Sequence, residues 1–122
     1  MCLTTRLLPR VYTAKKDIVV YKFGTIIKTP RINHYEFKSL HYNFLYTPNI
    51  VYKTKFNIWR RRYRYNIHDG FHALIKENTY IEDTTTLTNG IFIIPKGSKY
   101  YLGIHGDIVS NQIIFKELKN MQ

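Results

Sequence analysis

The chain has 122 residues, 44% of them apolar and 16% aromatic, with a formal net charge of +11. That length supports one domain with its own core, here taken as 1–122, and excludes two ordinary ones. The single cysteine, Cys2, excludes an internal disulfide, and the absence of any CxxC or Cys/His ligand spacing argues against a zinc module.

Targeting signals are missing from the text of the chain. MCLTTRLLPR lacks the apolar stretch of roughly 7–15 residues that a signal peptide carries. The longest plain apolar run, IFII (91–94), is far below membrane-spanning length. The expectation is a soluble cytoplasmic protein with no membrane partner.

The charge is segregated. Residues 1–65 hold fourteen Lys and Arg against Asp17 and Glu36, a net of +12, whereas residues 66–122 hold five Lys against six acids, a net of −1. Segregated positive charge points to a face that attracts an anion: a nucleotide, a nucleic acid or an acidic protein.

In chain order, DIVVYKFG (17–24) is β-branched and aromatic and reads as a strand, with TIIKTP (25–30) extended up to Pro30. A loop or short strand is expected around 34–38, and a strand at 50–55 after the Pro48-Asn49 turn. KFNIWRRRYRYNI (55–67) keeps two alternating phases joined by the arginine run, which fits a bulged or broken strand. His68-Asp69-Gly70 is a turn signal, and GFHALIK (70–76) resumes extended. ENTYIEDTTTLT (77–88) is the helix candidate, capped by Asn78 or Thr79 and ended by Asn89-Gly90, although its threonines are poor helix formers. GIFIIPKGSKYYLGI reads as a strand with a Pro-Lys-Gly turn inside, and DIVSNQIIFKEL (107–118) as a terminal strand. The expected class is α+β: a strand-rich single domain with one short helix near 77–88.

Four constellations carry possible chemistry. Arg60, Arg61, Arg62 and Arg64 offer planar, bidentate donors to phosphate. One strand would set Arg60, Arg62 and Arg64 on one face at about 7 Å intervals, although a solvated strand face or a charged edge strand would look the same. Tyr21, Tyr63 and Tyr65 stand beside Lys22 or the arginines and are candidate base stackers; the other tyrosines read as strand-face residues. His72 is either a half-buried structural histidine or a donor to a ligand phosphate. His68, His72 and Asp69 lack further ligands at a convincing spacing, so no metal is expected. PKGSKYYLG (95–103) could offer backbone N–H groups with Lys96 and Lys99 to an anion, but a plain β-turn is the stronger reading. The ligand-binding set is therefore Tyr21, Lys22, Arg60, Arg62, Tyr63, Arg64, Tyr65, His72, Lys96 and Lys99, with no catalytic residue and no cofactor assigned.

Several stretches carry a family resemblance. MCLTTRLLP followed by AKKDIVVYK, the Gly-Phe-His strand (70–72), IPKGSKYYLG (94–103) and IVSNQIIFKEL resemble a group of small uncharacterised proteins of phages and prophages of gut bacteria. The resemblance covers 1–22 and 68–118, leaving 23–67 unmatched. Val109-Ser110-Asn111 is also similar to a step in the last strand of a wider phage domain of unknown function. The resemblance implies a phage-type accessory protein acting in the cytoplasm of a bacterial host cell, and it supplies no catalytic motif.

Together these observations predict a protein that sequesters a phosphate-bearing small molecule, most plausibly a nucleotide immune messenger of bacterial defence. A homo-oligomer is expected, because a domain this small often encloses a ligand at a subunit interface. The alternatives are a nucleic-acid-binding accessory protein, which lacks any visible helix-turn-helix or basic helix, a nucleotide-processing or ADP-ribosyl-transfer-like enzyme, whose late glutamate would have to be Glu117, and an inhibitor that covers an acidic host protein.

Overall fold

Burial alternates along the last strand, Gln112–Leu118, in the way a half-covered sheet demands: Ile113 and Phe115 are buried while Ile114 is only half covered. Strict alternation would next bury Glu117. The pairing instead skips Lys116, since Phe92 faces Phe115 and Ile91 faces Glu117. That bulge shifts the phase, so Leu118 goes inside and the charged pair stays out.

The computed structural model describes residues 3–5, 10–28, 35–39, 44–61, 64–67, 69–76, 88–103 and 106–118; of these, 3–5, 28, 35, 58–61, 64–66 and 88 are placed by their backbone alone. The strands are β1 (Leu3–Thr5), β2 (Tyr12–Thr13), β3 (Ile18–Lys28), β4 (Tyr35–Ser39), β5 (Leu45–Tyr46), β6 (Val51–Lys53), β7 (Ile58–Arg61), β8 (Arg64–Ile67), β9 (Phe71–Leu74), β10 (Thr88–Ile94), β11 (Lys99–Leu102), β12 (Asp107–Ser110) and β13 (Gln112–Leu118). Antiparallel pairing links β2–β11–β12–β9–β3–β10–β13–β6 in that order, with β4 on β3 and β5 on β4.

The eleven-residue β3 organises this sheet. It pairs with β10 along Ile18–Gly24, touches β9 at Tyr21 and pairs with β4 along Gly24–Lys28. Beyond β5 the chain returns to β13: Pro48 bridges Phe115, and the N–H of Asn49 donates to the Phe115 carbonyl at 2.9 Å. Asn49 makes that turn in the left-handed region, at φ 64°, which asparagine tolerates. The pairing path β13–β10–β3–β4–β5 therefore comes back on itself.

Inside it lie Phe37, Phe92 and Phe115, all fully buried, with centroids 5.0–5.3 Å apart. Each contributes roughly 1.5–3 kcal/mol by leaving water. Gly24 and Gly90 make room for them, since a Cβ on Gly24 would meet Phe37 Cζ at 2.8 Å and one on Gly90 would meet Phe37 and Phe92 at 2.9 Å.

A three-stranded sheet, β1–β8–β7, forms a second layer. Its buried Ile67 packs against Tyr101 and Val109, with Phe56 standing edge-on to Tyr101 at 4.8 Å. Both faces of β12 are thereby covered, which explains why Ile108, Val109 and Ser110 are buried in succession.

The α+β expectation is overturned: there is no helix among the described residues, and the sheet is antiparallel. The helix expected at 77–88 falls at 77–87 outside the described residues, and Thr88 begins β10 opposite Gly24. Thr88 suits that pleated strand better than a helix, because its branched Cβ restricts χ1. KFNIWRRRYRYNI, expected as a bulged or broken strand, is broken into β7 and β8, which pair with each other antiparallel with Arg61 opposite Arg64. One strand reading changes. DIVSNQIIFKEL is broken at Asn111 into β12 and β13, which pair with different neighbours.

Candidate functional site

The best-defined polar surface is the β2–β11 edge. Backbone pairing sets Thr13 opposite Lys99 and Tyr12 opposite Tyr100. After Thr13 the chain is clasped to the Pro95–Ser98 turn: Ala14 N–H donates to the Ser98 carbonyl, and Gly97 N–H donates to the Ala14 carbonyl, both at 2.8 Å. Lys96 N–H donates to Asp17 Oδ1, also at 2.8 Å. Gly97 turns at φ 89°, a conformation that suits glycine.

The clasp brings Arg10, Lys15, Lys16, Lys96 and Lys99 to one edge, all five exposed, with Asp17 as the acid among them. Tyr12 and Tyr100 stack there with centroids 5.5 Å apart and planes 19° apart, and the Arg10 guanidinium lies 5.2 Å over the Tyr12 ring. Lys99 Nζ donates to Thr13 Oγ1 at 2.6 Å. Cations beside a stacked aromatic pair can neutralise phosphate and offer a face to a base.

The turn itself does not cradle an anion. Lys96 N–H goes to Asp17, Gly97 N–H to Ala14, Ser98 N–H to Pro95 at 3.1 Å, and Lys99 N–H to Asn111 Oδ1 at 2.9 Å. The buried Ser98 hydroxyl also donates to the Pro95 carbonyl. With these N–H groups engaged, PKGS is a structural β-turn that exposes the Lys96 side chain. Asn111 is equally structural: its N–H donates to the Lys99 carbonyl, and its own carbonyl accepts from Thr54 N–H.

The other expected site residues do not gather here. Tyr21 and Lys22 are neighbours on β3 and so lie on opposite faces of the sheet. Arg60 and Arg64 sit in the second sheet, where the register sets Arg60 opposite Tyr65 and Arg61 opposite Arg64, so one strand face does not carry Arg60, Arg62 and Arg64 as the sequence suggested. Arg62, Tyr63 and His68 lie outside the described residues. His72 is half-buried on β9 opposite Val109, the face that the second sheet covers. Of the ten expected residues, the structure joins Lys96 and Lys99. The partners missed were Arg10, Tyr12, Lys15, Lys16 and Tyr100, although the same mixing of cations with tyrosines that drew attention to 60–65 is present in RVYTAKKD.

Lys22 is the unexpected residue. Its face of β3 also carries the buried Val20 and Gly24, so it points inward. Its Nζ lies 5.5 Å from the Tyr46 centroid and 5.9 Å from that of Phe92. Burial lowers its pKa from 10.5 to about 8. Burial, and secondarily Tyr52, pushes the Tyr46 hydroxyl well above the usual phenol range. A lysine so placed is no surface phosphate ligand.

Among the described residues the architecture is strand-only and antiparallel, with a closed aromatic core and a basic edge. No helix among the described residues is long and apolar enough to cross a membrane, and no group of three or more His, Cys, Asp or Glu among them could hold a metal. No family model, curated protein or solved structure matches the chain.

Proposed function

We propose that the protein binds and sequesters a phosphate-bearing small molecule, a nucleotide, at the β2–β11 edge. The observation that carries this is the clasp between Ala14–Asp17 and Pro95–Ser98, which brings five exposed cations to the edge that also carries the Tyr12–Tyr100 stack, with Arg10 over the Tyr12 ring and Lys99 on the other face of its strand. Lys96, Lys99, Lys15 and Lys16 neutralise phosphate, Arg10 supplies a planar donor, and the tyrosine pair receives the base. The reading requires no bond to be made or broken. A nucleotide immune messenger in a phage-type accessory role is the ligand class it favours, and a second copy stacked over the shallow edge would supply the enclosure that tight capture needs.

The test is a melting-temperature screen with cyclic dinucleotides, cyclic oligonucleotides, NAD and ADP-ribose derivatives, followed by heat release and analysis of the bound compound. A raised Tm, lost in Lys96→Ala/Lys99→Ala, with the ligand returned intact, supports sequestration. A converted ligand makes the protein an enzyme. If no nucleotide shifts Tm while DNA binds with a steep salt slope, the nucleotide reading fails in favour of nucleic acid. Sedimentation with and without ligand checks the second copy.

A further inference from the structure

The central strands of the large sheet have the composition of strands covered on both faces. In IFII (91–94), Phe92 and Ile94 are fully buried, and Ile91 and Ile93 point to the other face. Val19 in β3 and Ile114 in β13 likewise lie on the face away from the buried Val20, Ile113 and Phe115. A sheet with one face in water carries polar residues on that face. Here the register lines up aliphatic ones instead: Val51 pairs with Ile114, Ile114 with Ile93, and Ile93 with Val19. Cross-strand partners share a face, so these four make one row across β6, β13, β10 and β3, about 14 Å long at the usual strand spacing. Both ends of the row are open, with Val51 46% and Val19 49% exposed. Ile91 and Tyr21, paired with each other, lie beside it.

The fold covers this same face elsewhere. Tyr21 pairs with Leu74, and His72, two residues along β9, pairs with Val109. The outer face of β3 therefore continues to Val109 on β12. There the β1–β8–β7 sheet packs on it, with Ile67 buried against Val109 and Tyr101. The Val51–Val19 row lies beyond that contact.

The charges around the row select what fits it. The chain carries +11, yet the exposed charges nearest the row in sequence and register are Lys53, Lys76 and Lys116 with Asp17 and Glu117, three cations less two acids, a net of +1. An anionic partner is drawn to the basic edge instead, and a like-charged copy is hardly repelled here. The flanks also complement each other. Lys53, paired with Gln112, lies on one side of the row, and Glu117, paired with Ile91, lies on the other. A twofold axis along the row turns the face onto a copy of itself and exchanges its flanks, so the Lys53 side of each copy meets the Glu117 side of the other.

We propose that this face is a homodimer interface, in which two copies pack their Val51–Ile114–Ile93–Val19 rows against each other, sheet on sheet. An aliphatic centre with a charged rim has the anatomy of a protein–protein contact. The contact needs no ligand and does not rest on the nucleotide reading of the β2–β11 edge.

Sedimentation velocity of the ligand-free chain between about 1 and 100 μM tests it. The chain should pass from monomer to dimer across that range. Raising salt from about 0.05 to 0.5 M should not weaken the dimer, because apolar burial is not screened. Val19→Lys with Val51→Lys should raise the dimer dissociation constant at least about tenfold and leave Tm within about 5 °C. Lys96→Ala with Lys99→Ala should leave the dimer unchanged. A chain still monomeric at the highest concentration overturns the proposal, as does a dimer that survives the two valine substitutions or is lost with the two edge lysines. Should the valine double variant fail to fold, Val51→Lys alone, on the edge strand β6, makes the same measurement.

Discussion

The aromatic core and the basic edge solve opposite problems. Around Phe37, Phe92 and Phe115 every position is set by volume: Gly24 and Gly90 are required because any Cβ there would overlap a ring, and the Lys116 bulge exists to put Leu118 inside. At the β2–β11 edge, backbone hydrogen bonds hold the frame while five cations stay exposed, with Arg10 over the Tyr12 ring and Lys99 bonded to Thr13. Substitutions should therefore damage stability in the first region and binding in the second.

The sharpest break of that comparison is Phe92→Ala, expected to cost about 3–5 kcal/mol in urea unfolding, while Lys96→Ala should stay within about 0.5 kcal/mol. If both cost the same, the two regions are not distinct in kind.

Lys22→Met comes next, as the core position that violates the core's own rule. Because the folded-state pKa is lowered from 10.5 to about 8, the unfolded chain binds more protons between those values. Stability should therefore rise from pH 8 to 10.5, and the penalty is fully present below pH 8. The substitution should flatten that rise and stabilise the protein by about 1–3 kcal/mol at pH 7, read as a shift in urea midpoint across pH.

Gly24→Ala should cost about 1–3 kcal/mol through overpacking against Phe37 and the Lys38 carbonyl. At the edge, Lys96→Glu with Lys99→Glu should weaken nucleotide binding by about tenfold per charge and reduce the salt slope by about 2, with little change in Tm. Smallest is Asp17→Ala, which removes the acceptor of Lys96 N–H and should lower stability by about 1 kcal/mol.

Much of the sheet could be read from local pattern. DIVVYKFG and TIIK form the single strand β3, the short strand expected at 34–38 is β4, the one at 50–55 contains β6, and GFHALIK contains β9. These succeeded because β-branched and aromatic residues alternate there between turn signals. The misses share one cause: where a strand ends depends on its partner. Nothing within RRRYRY says that the chain runs back on itself, and nothing within VSNQ says that Asn111 leaves β11 and β9 for β10 and β6. The site was legible in residue type but not in place. The proposed edge uses the residue types the sequence pointed to at mostly different positions, and Lys22 was assigned to a ligand phosphate because a lone lysine in a strand gives no local sign of which face is covered.

By itself the sequence determined the strand-rich character, the segregated positive charge and the turns at Pro48-Asn49 and Pro95–Ser98, since these follow from side-chain shape, charge and backbone preference acting over a few residues. Only the tertiary structure decided that Ala14–Asp17 meets Pro95–Ser98, that Tyr12 stacks on Tyr100 and that Lys22 enters the aromatic core. Each of these joins residues distant in the chain, and which distant segments pair is fixed by packing the whole sheet around Phe37, Phe92 and Phe115.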